Sequence, residues 1–227
     1  MAQMTVRQTS AELPALGEED LELVSSVDGA GGLVSGFQFG ATSLPEFDLV
    51  NVGLVQGRIR ALRAGRASVT GARLSSVEFS GCDLSSLRWA GGKLSRVWFD
   101  SCRLLGARFI EVSVEHVVFT ACKLDYSVFE HVRVTGPVLF AGCSLREAEF
   151  TSCDLTGSLL DDCDLRLTGF GRGSYRGCDL RGNDLSAVIG AHHLKQAVID
   201  HAQMVQLAGA LAAELDLTFG DETPDQP

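Results

Sequence analysis

The chain has 227 residues, 45% hydrophobic and 21% charged, which supplies enough apolar material for a substantial core and an ordinary composition for a folded domain. No apolar run reaches the roughly 18 residues of a membrane span, and the start lacks a basic stretch followed by an apolar one, so neither a transmembrane helix nor a secretory signal is expected. The net charge of −10 argues against a general nucleic-acid binder, and seven cysteines without an export signal are expected to be reduced in the cytoplasm.

Residues 1–30 carry Arg7 against six acidic side chains, Glu12, Glu18, Glu19, Asp20, Glu22 and Asp28, and are expected to form an acidic N-terminal segment, flexible or a loose cap. Residues 31–190 hold 17 basic and 17 acidic residues, but unevenly: 10 against 5 over 31–110, and 7 against 12 over 111–190. The body is therefore dipolar.

From Leu74 a large apolar residue recurs every fifth position, through Phe79, Leu84, Trp89, Leu94, Phe99, Leu104, Phe109, Val114, Phe119, Leu124 and Phe129 to Val134. After one inserted residue within Thr135-Gly136-Pro137 it resumes at Phe140 and continues to Leu185. Neither a helix nor a plain strand has this period. A three-residue strand, pointing in, out and in, followed by a two-residue corner does. Small or β-branched residues two positions earlier (Cys82, Ala107, Val112, Cys122, Cys153) fit the other inward site, and Gly and Ser fit the corners. The triplets at Cys82, Cys102, Cys122, Cys143, Cys163 and Asn183 recur at 20 residues, once at 21, so that four units close one coil.

Cys-Asp-Leu-Ser-Ser (82–86), Cys-Asp-Leu-Thr-Gly (153–157), Cys-Asp-Leu-Arg-Gly (178–182) and Asn-Asp-Leu-Ser-Ala (183–187) resemble the motif of the pentapeptide repeat family. The resemblance implies an all-β solenoid, a right-handed quadrilateral parallel β-helix of about eight four-sided coils over 31–190. It says little about function, which lies in surfaces grafted on a fold.

Residues 191–217 read as a linker and C-terminal α-helix. Asp200-His201-Ala202-Gln203 resembles a capping box, and Met204, Leu207, Leu211 and Leu215 share one face of a helix over 201–215. That helix either seals the open end of a monomer or joins a second copy into a homodimer, as in several relatives. An acidic, disordered tail is expected over 218–227.

No catalytic or metal site emerges. The cysteines lack the close pairs of a zinc site and read as small core residues, His116 and His131 are isolated at corners, and no nucleophile elbow or phosphate loop occurs. No cofactor is expected. Two surfaces stand out instead. One outward row reads Arg58, Glu78, Trp98, Val118, Leu139, Leu159, Asp179, so Trp98, Val118, Leu139 and Leu159 form an apolar strip that faces either a protein partner or the chain's own N-terminal segment through Leu21, Leu23 and Val24. The other is an acidic patch of Asp154, Asp161, Asp162, Asp164, Asp179 and Asp184 in the last coils. The expected function is a non-enzymatic protein–protein interaction module with an unidentified partner, without direct nucleic-acid or membrane binding. The resemblance to quinolone-resistance members implies an alternative, a DNA-mimicking modulator of DNA gyrase or topoisomerase acting through the acidic patch.

Overall fold

The computed structural model describes residues 2–27 and 32–218. Its body is a parallel β-solenoid in which each five-residue unit forms one side of a coil. In the coil around Trp98, the outward residues of successive sides are Lys93, Trp98, Arg103 and Arg108. Each pairs in parallel with the residue twenty positions on: Ser113, Val118, Lys123 and Val128. We call these sides faces A, B, C and D. The register keeps like over like inside, Leu94 with Val114, Phe99 with Phe119 and Phe109 with Phe129, so a one-residue slip would turn the core row to solvent.

Face B has Gln38, Arg58, Glu78, Trp98, Val118, Leu139, Leu159 and Asp179 as consecutive rungs, which enclose about seven turns. Pairing continues to Leu23 before this row and Val198 after it, beyond the expected limits of 31–190. Corner residues such as Ala61, Ser101, Ala121 and His131 have φ near +50° although they are not glycine. This conformation costs about 1 kcal/mol or more for an L-residue. It is offset because each corner N–H bonds a carbonyl in the coil above, as Ser101 does to Thr120 at 2.8 Å.

Two aromatic columns fill the interior. Phe79, Phe99, Phe119 and Phe140 stack at 4.8–4.9 Å, while Phe109, Phe129, Phe150 and Phe170 stack at 4.7–5.7 Å. The columns meet edge to face at 6.0–6.3 Å, a geometry that the ring quadrupoles favour. The packing leaves an apolar void of only about 20 Å³ beside Phe119 and Phe129. At Gly57 an added Cβ would lie 2.0 Å from the Phe37 ring, so Phe37, at the start of the neighbouring inward row of Val77, Val97 and Val117, fits only because that site has no side chain.

All seven cysteines are free and buried. Cys82, Cys102, Cys122, Cys143 and Cys163 form one inward row, and each thiol donates to a carbonyl of the preceding coil at 3.4–3.5 Å. Burial pushes the isolated thiols up, Cys153 to about 11 and Cys178 to about 12. The row ends at Asn183, whose amide donates to Leu160 and Leu180 carbonyls and accepts from the Cys163 N–H.

The extra residue at Thr135–Pro137 makes a local bulge rather than a kink. Val134 still pairs with Val114, and Val138 already pairs with Val117. No described peptide bond is cis. At the N-terminus, β1 (Gln3–Val6) and β2 (Thr9–Glu12) form an antiparallel hairpin. At the C-terminus, α1 spans Gln203–Glu214, and 219–227 lie outside the described residues.

Candidate interaction surfaces

Face B carries Trp98, Val118, Leu139 and Leu159 on adjacent rungs, as the periodicity requires. The strip is not free. Val118, Leu139 and Leu159 are completely buried under Ala11, with Met4, Val6 and Leu13 packed around them and Trp98 at the margin. The cover is thus the β1–β2 hairpin and not the Leu21–Val24 segment. Leu23 is 82% exposed, whereas Val24 packs against the main core. The hairpin was hidden in the sequence because its strands are four residues long and its turn, at Arg7 and Gln8, lacks the Gly or Asn that usually marks one.

Polar contacts fix both ends of this cover. At the turn, the Arg7 guanidinium reaches Asp161 at 2.8 Å and Asp179 at 3.2 Å, on successive rungs of the solenoid. At the other end the Glu12 N–H donates to His116 Nδ1 at 3.2 Å. His116, read from the sequence as an isolated corner residue, therefore has a specific partner. Trp98 donates its indole N–H to Thr120 at 2.8 Å.

The acidic residues do not form one patch. Asp154 lies on face A, Asp179 on face B and Asp164 on face C. Residues ten apart in a five-residue repeat sit on opposite sides of the coil, which separates Asp154 from Asp164. Most of these carboxylates also serve the chain itself. Asp164 accepts two bonds from the Arg166 side chain, and Asp179 accepts from Arg181 and Arg7. Asp154 and Asp184 accept backbone N–H groups of Thr156 and Ser186 two residues on. Hydrogen bonds from these partners hold Asp164, Asp179 and Asp184 below the usual carboxylate range against the opposing effect of burial. Asp162 occupies a corner with φ +51°.

The C-terminal helix buries the middle of the expected face but not its ends. Leu207 and Leu211 pack against the core, with Gln203 and Ala210 buried beside them and Glu214 bonded to the last coil, while Met204 and Leu215 are exposed. Polar anchors set this seating. Gln203 donates to the Leu180 and Asn183 carbonyls and accepts from the Asp200 N–H, while Asp200 itself accepts from Gly182, so only half of the capping box forms. Glu214 accepts from the Ala191 N–H at 2.7 Å and bonds His192 at 2.8 Å. Met204, Val205 and Leu215 consequently face outward, 58%, 81% and 66% exposed, beside Ala208 and Gly209.

Open troughs also lie along the outer faces. One of about 920 Å³ on face A is lined by His131, Arg133, Asp154 and Arg172, and one of about 960 Å³ along face D by Tyr126, Leu167, Ile189 and His193. Among the described residues no group of three or more His, Cys, Asp or Glu side chains is arranged to hold a metal ion. No described helix is long and apolar enough to cross a membrane.

Residues 92–170 match the family model described as "Pentapeptide repeat region". No curated protein matches the sequence. Similar solved structures include full-length QnrB1, a plasmid-mediated fluoroquinolone resistance protein, at 18% identity over 80% of this chain and 95% of that one, with TM-score 0.44. A trypsin-treated QnrB1 variant is also 18% identical, over 77% of this chain and 98% of that one, with TM-score 0.45. HetL, a pentapeptide repeat protein involved in heterocyst differentiation regulation from the cyanobacterium Nostoc sp. strain PCC 7120, is 17% identical over 76% and 89%, with TM-score 0.25.

Proposed function

We propose that this chain, a pentapeptide repeat protein, works as a non-enzymatic interaction module whose first partner is a second copy of itself, joined through the outer face of α1. The observation that carries this reading is the composition of that face. Met204, Val205, Ala208, Gly209 and Leu215 present no charge, and a large apolar side chain such as Val205 is 81% exposed on an ordered helix. A patch of this kind on a folded chain usually marks a contact surface. Small residues at 208 and 209 allow close helix approach, and one patch meeting its own copy is the arrangement of a two-fold interface.

The filled core supports a scaffold over an enzyme. Its interior is occupied by Phe, Leu and Cys, and the troughs lie on the outer faces. The charge geometry favours a scaffold over mimicry of duplex DNA, which presents one charge per roughly 1.7 Å of axis. Here the aspartates are split among three faces, and several are paired with arginine. Light scattering on the purified chain tests the reading: a dimer is expected, and Val205→Arg should return a monomer with unchanged circular dichroism. A monomeric wild type would overturn it. Inhibition of gyrase supercoiling, lost on charge reversal at Asp161, Asp162 and Asp164, would instead establish the mimicry reading.

A further inference from the structure

The N-terminal hairpin covers face B, which leaves face D, on the opposite side of the coil, open. There Arg88, Arg108, Val128 and Glu149 are consecutive rungs. Both arginines are exposed, and neither has an ion-pair partner among the described residues. Face C repeats their sign alongside with Arg103 and Lys123. The carboxylate nearest to these two is Asp83, 3.9 Å from Arg103 and already accepting from Ser85. Like charges on facing rungs destabilise a sheet, so the four cations favour an anionic surface laid over them. Glu149 is exposed and also lacks a described partner, so the face D row reads basic, basic, apolar, acidic.

The rim of this row is low at first and then rises. Successive corners between faces C and D carry Ser86, Gly106 and Tyr126, each bonding its N–H to the next coil. Tyr126 stands in the left-handed region, φ +61°, with its side chain turned to solvent at 58% exposure. Neither backbone preference nor core packing calls for an aromatic ring at such a corner. The ring borders the trough of about 960 Å³ that Arg108, Val128 and Glu149 also line. The row is thus the floor of an open channel with an aromatic wall.

Spacing selects what can lie in it. The three steps from Arg88 to Glu149 cover about 14 Å at the strand spacing. Three turns of an α-helix, eleven residues, cover about 16 Å, a mismatch that long side chains absorb. Three same-face steps of an extended strand cover about 20 Å and fall out of step. We infer that face D docks an α-helix of a partner protein, aligned with the solenoid axis, that carries acidic, acidic, apolar and basic side chains at positions i, i+4, i+7 and i+11 of one face. The two acids meet Arg88 and Arg108, the apolar residue rests on Val128 against Tyr126, and the base meets Glu149. This surface lies on a side of the solenoid and not at its end, so it is separate from the α1 contact.

A fluorescent, alanine-rich peptide of about twenty residues, with Glu, Glu, Leu and Lys at those four positions, is the probe, titrated with the full chain and read by anisotropy. It should bind about tenfold more tightly than a peptide of the same composition in scrambled order, because charge order sets the register. Raising the salt from about 0.05 M to about 0.2 M should weaken it by about fivefold. Arg88→Glu combined with Arg108→Glu should weaken binding by about tenfold or more with circular dichroism unchanged, while Arg73→Glu, the same kind of charge change on face A, should leave it within about twofold. Tyr126→Gly should weaken binding by about threefold without lowering the melting temperature, because glycine accepts the left-handed corner freely. No binding of the ordered peptide, equal binding of the scrambled one, or an equal loss in Arg73→Glu would overturn the inference. Binding of single-stranded DNA in place of the peptide would overturn it in favour of a nucleic-acid surface.

Discussion

Phe119 shows how much a single rung carries. It is 3% exposed, lies between Phe99 at 4.9 Å and Phe140 at 4.8 Å, and meets Phe109 edge on. Phe119→Ala should cost about 3–5 kcal/mol in urea unfolding. A loss below about 1 kcal/mol would refute the column geometry. Asp179 makes an electrostatic prediction. Arg181 holds its carboxyl below the usual range against burial, with Arg7 adding to the effect, so the folded state binds this proton less readily than the unfolded chain. A depressed folded value stabilises above the unfolded carboxyl value of about 4, and that stability is lost as pH falls through the folded value. Asp179→Asn should therefore destabilise by about 1–2 kcal/mol at neutral pH, and the difference from wild type should vanish in strong acid. The inward residues could be read from the sequence because five-residue spacing fixes direction without further information. The partner of His116 and the second arginine on Asp179 could not, since Glu12 and Arg7 lie more than 100 residues away along the chain.

At the scale of elements, the strands were legible and the two terminal attachments only partly so. Face B pairs from Arg58 to Asp179 in the register that its outward row predicts, because identical rungs leave no competing alignment. The α1 helix was expected and forms, and Leu207 and Leu211 face the core as hydrophobicity alone suggests, whereas Met204 and Leu215 do not. A polar glutamine and a glutamate face inward because the last coil has carbonyls and an N–H without a further strand to bond, and Gln203 and Glu214 supply what that strand would have. Gln203→Leu should leave the Leu180 and Asn183 carbonyls unpaired and cost about 2–4 kcal/mol. Hydrogen exchange should show the loss confined to α1 and its neighbouring coil, with the 93–140 region unchanged; a uniform loss of protection would contradict this local role.

For the molecule as a whole, stability is a sum of neighbouring contacts along one axis. The cysteines report on that sum because they are distributed from Cys82 to Cys178 and all are buried. A thiol reagent should label none of the seven in the native protein within the time that fully labels a urea-unfolded sample, and reductant should leave the melting temperature unchanged. Rapid labelling of Cys163, the least buried at 8% exposure, would locate a weak coil. Charge is the one global property that composition misrepresents. A net −10 suggests a broad acidic surface, but the folded chain distributes its aspartates around the axis and commits many of them to short local turns and arginine partners.

The bulge at Thr135–Pro137 bears on how such a molecule can change over generations. One surplus residue is absorbed at a corner, and every rung after it keeps its neighbour. Corners are thus where the reading frame of the structure can be edited harmlessly, whereas an insertion between Val117 and Phe119 would invert the inward and outward sense of that side. Duplication of a whole twenty-residue coil would preserve all four sides at once. Lineages of this architecture are free to lengthen or shorten in steps of one strand spacing, with the two ends kept as fixed fittings.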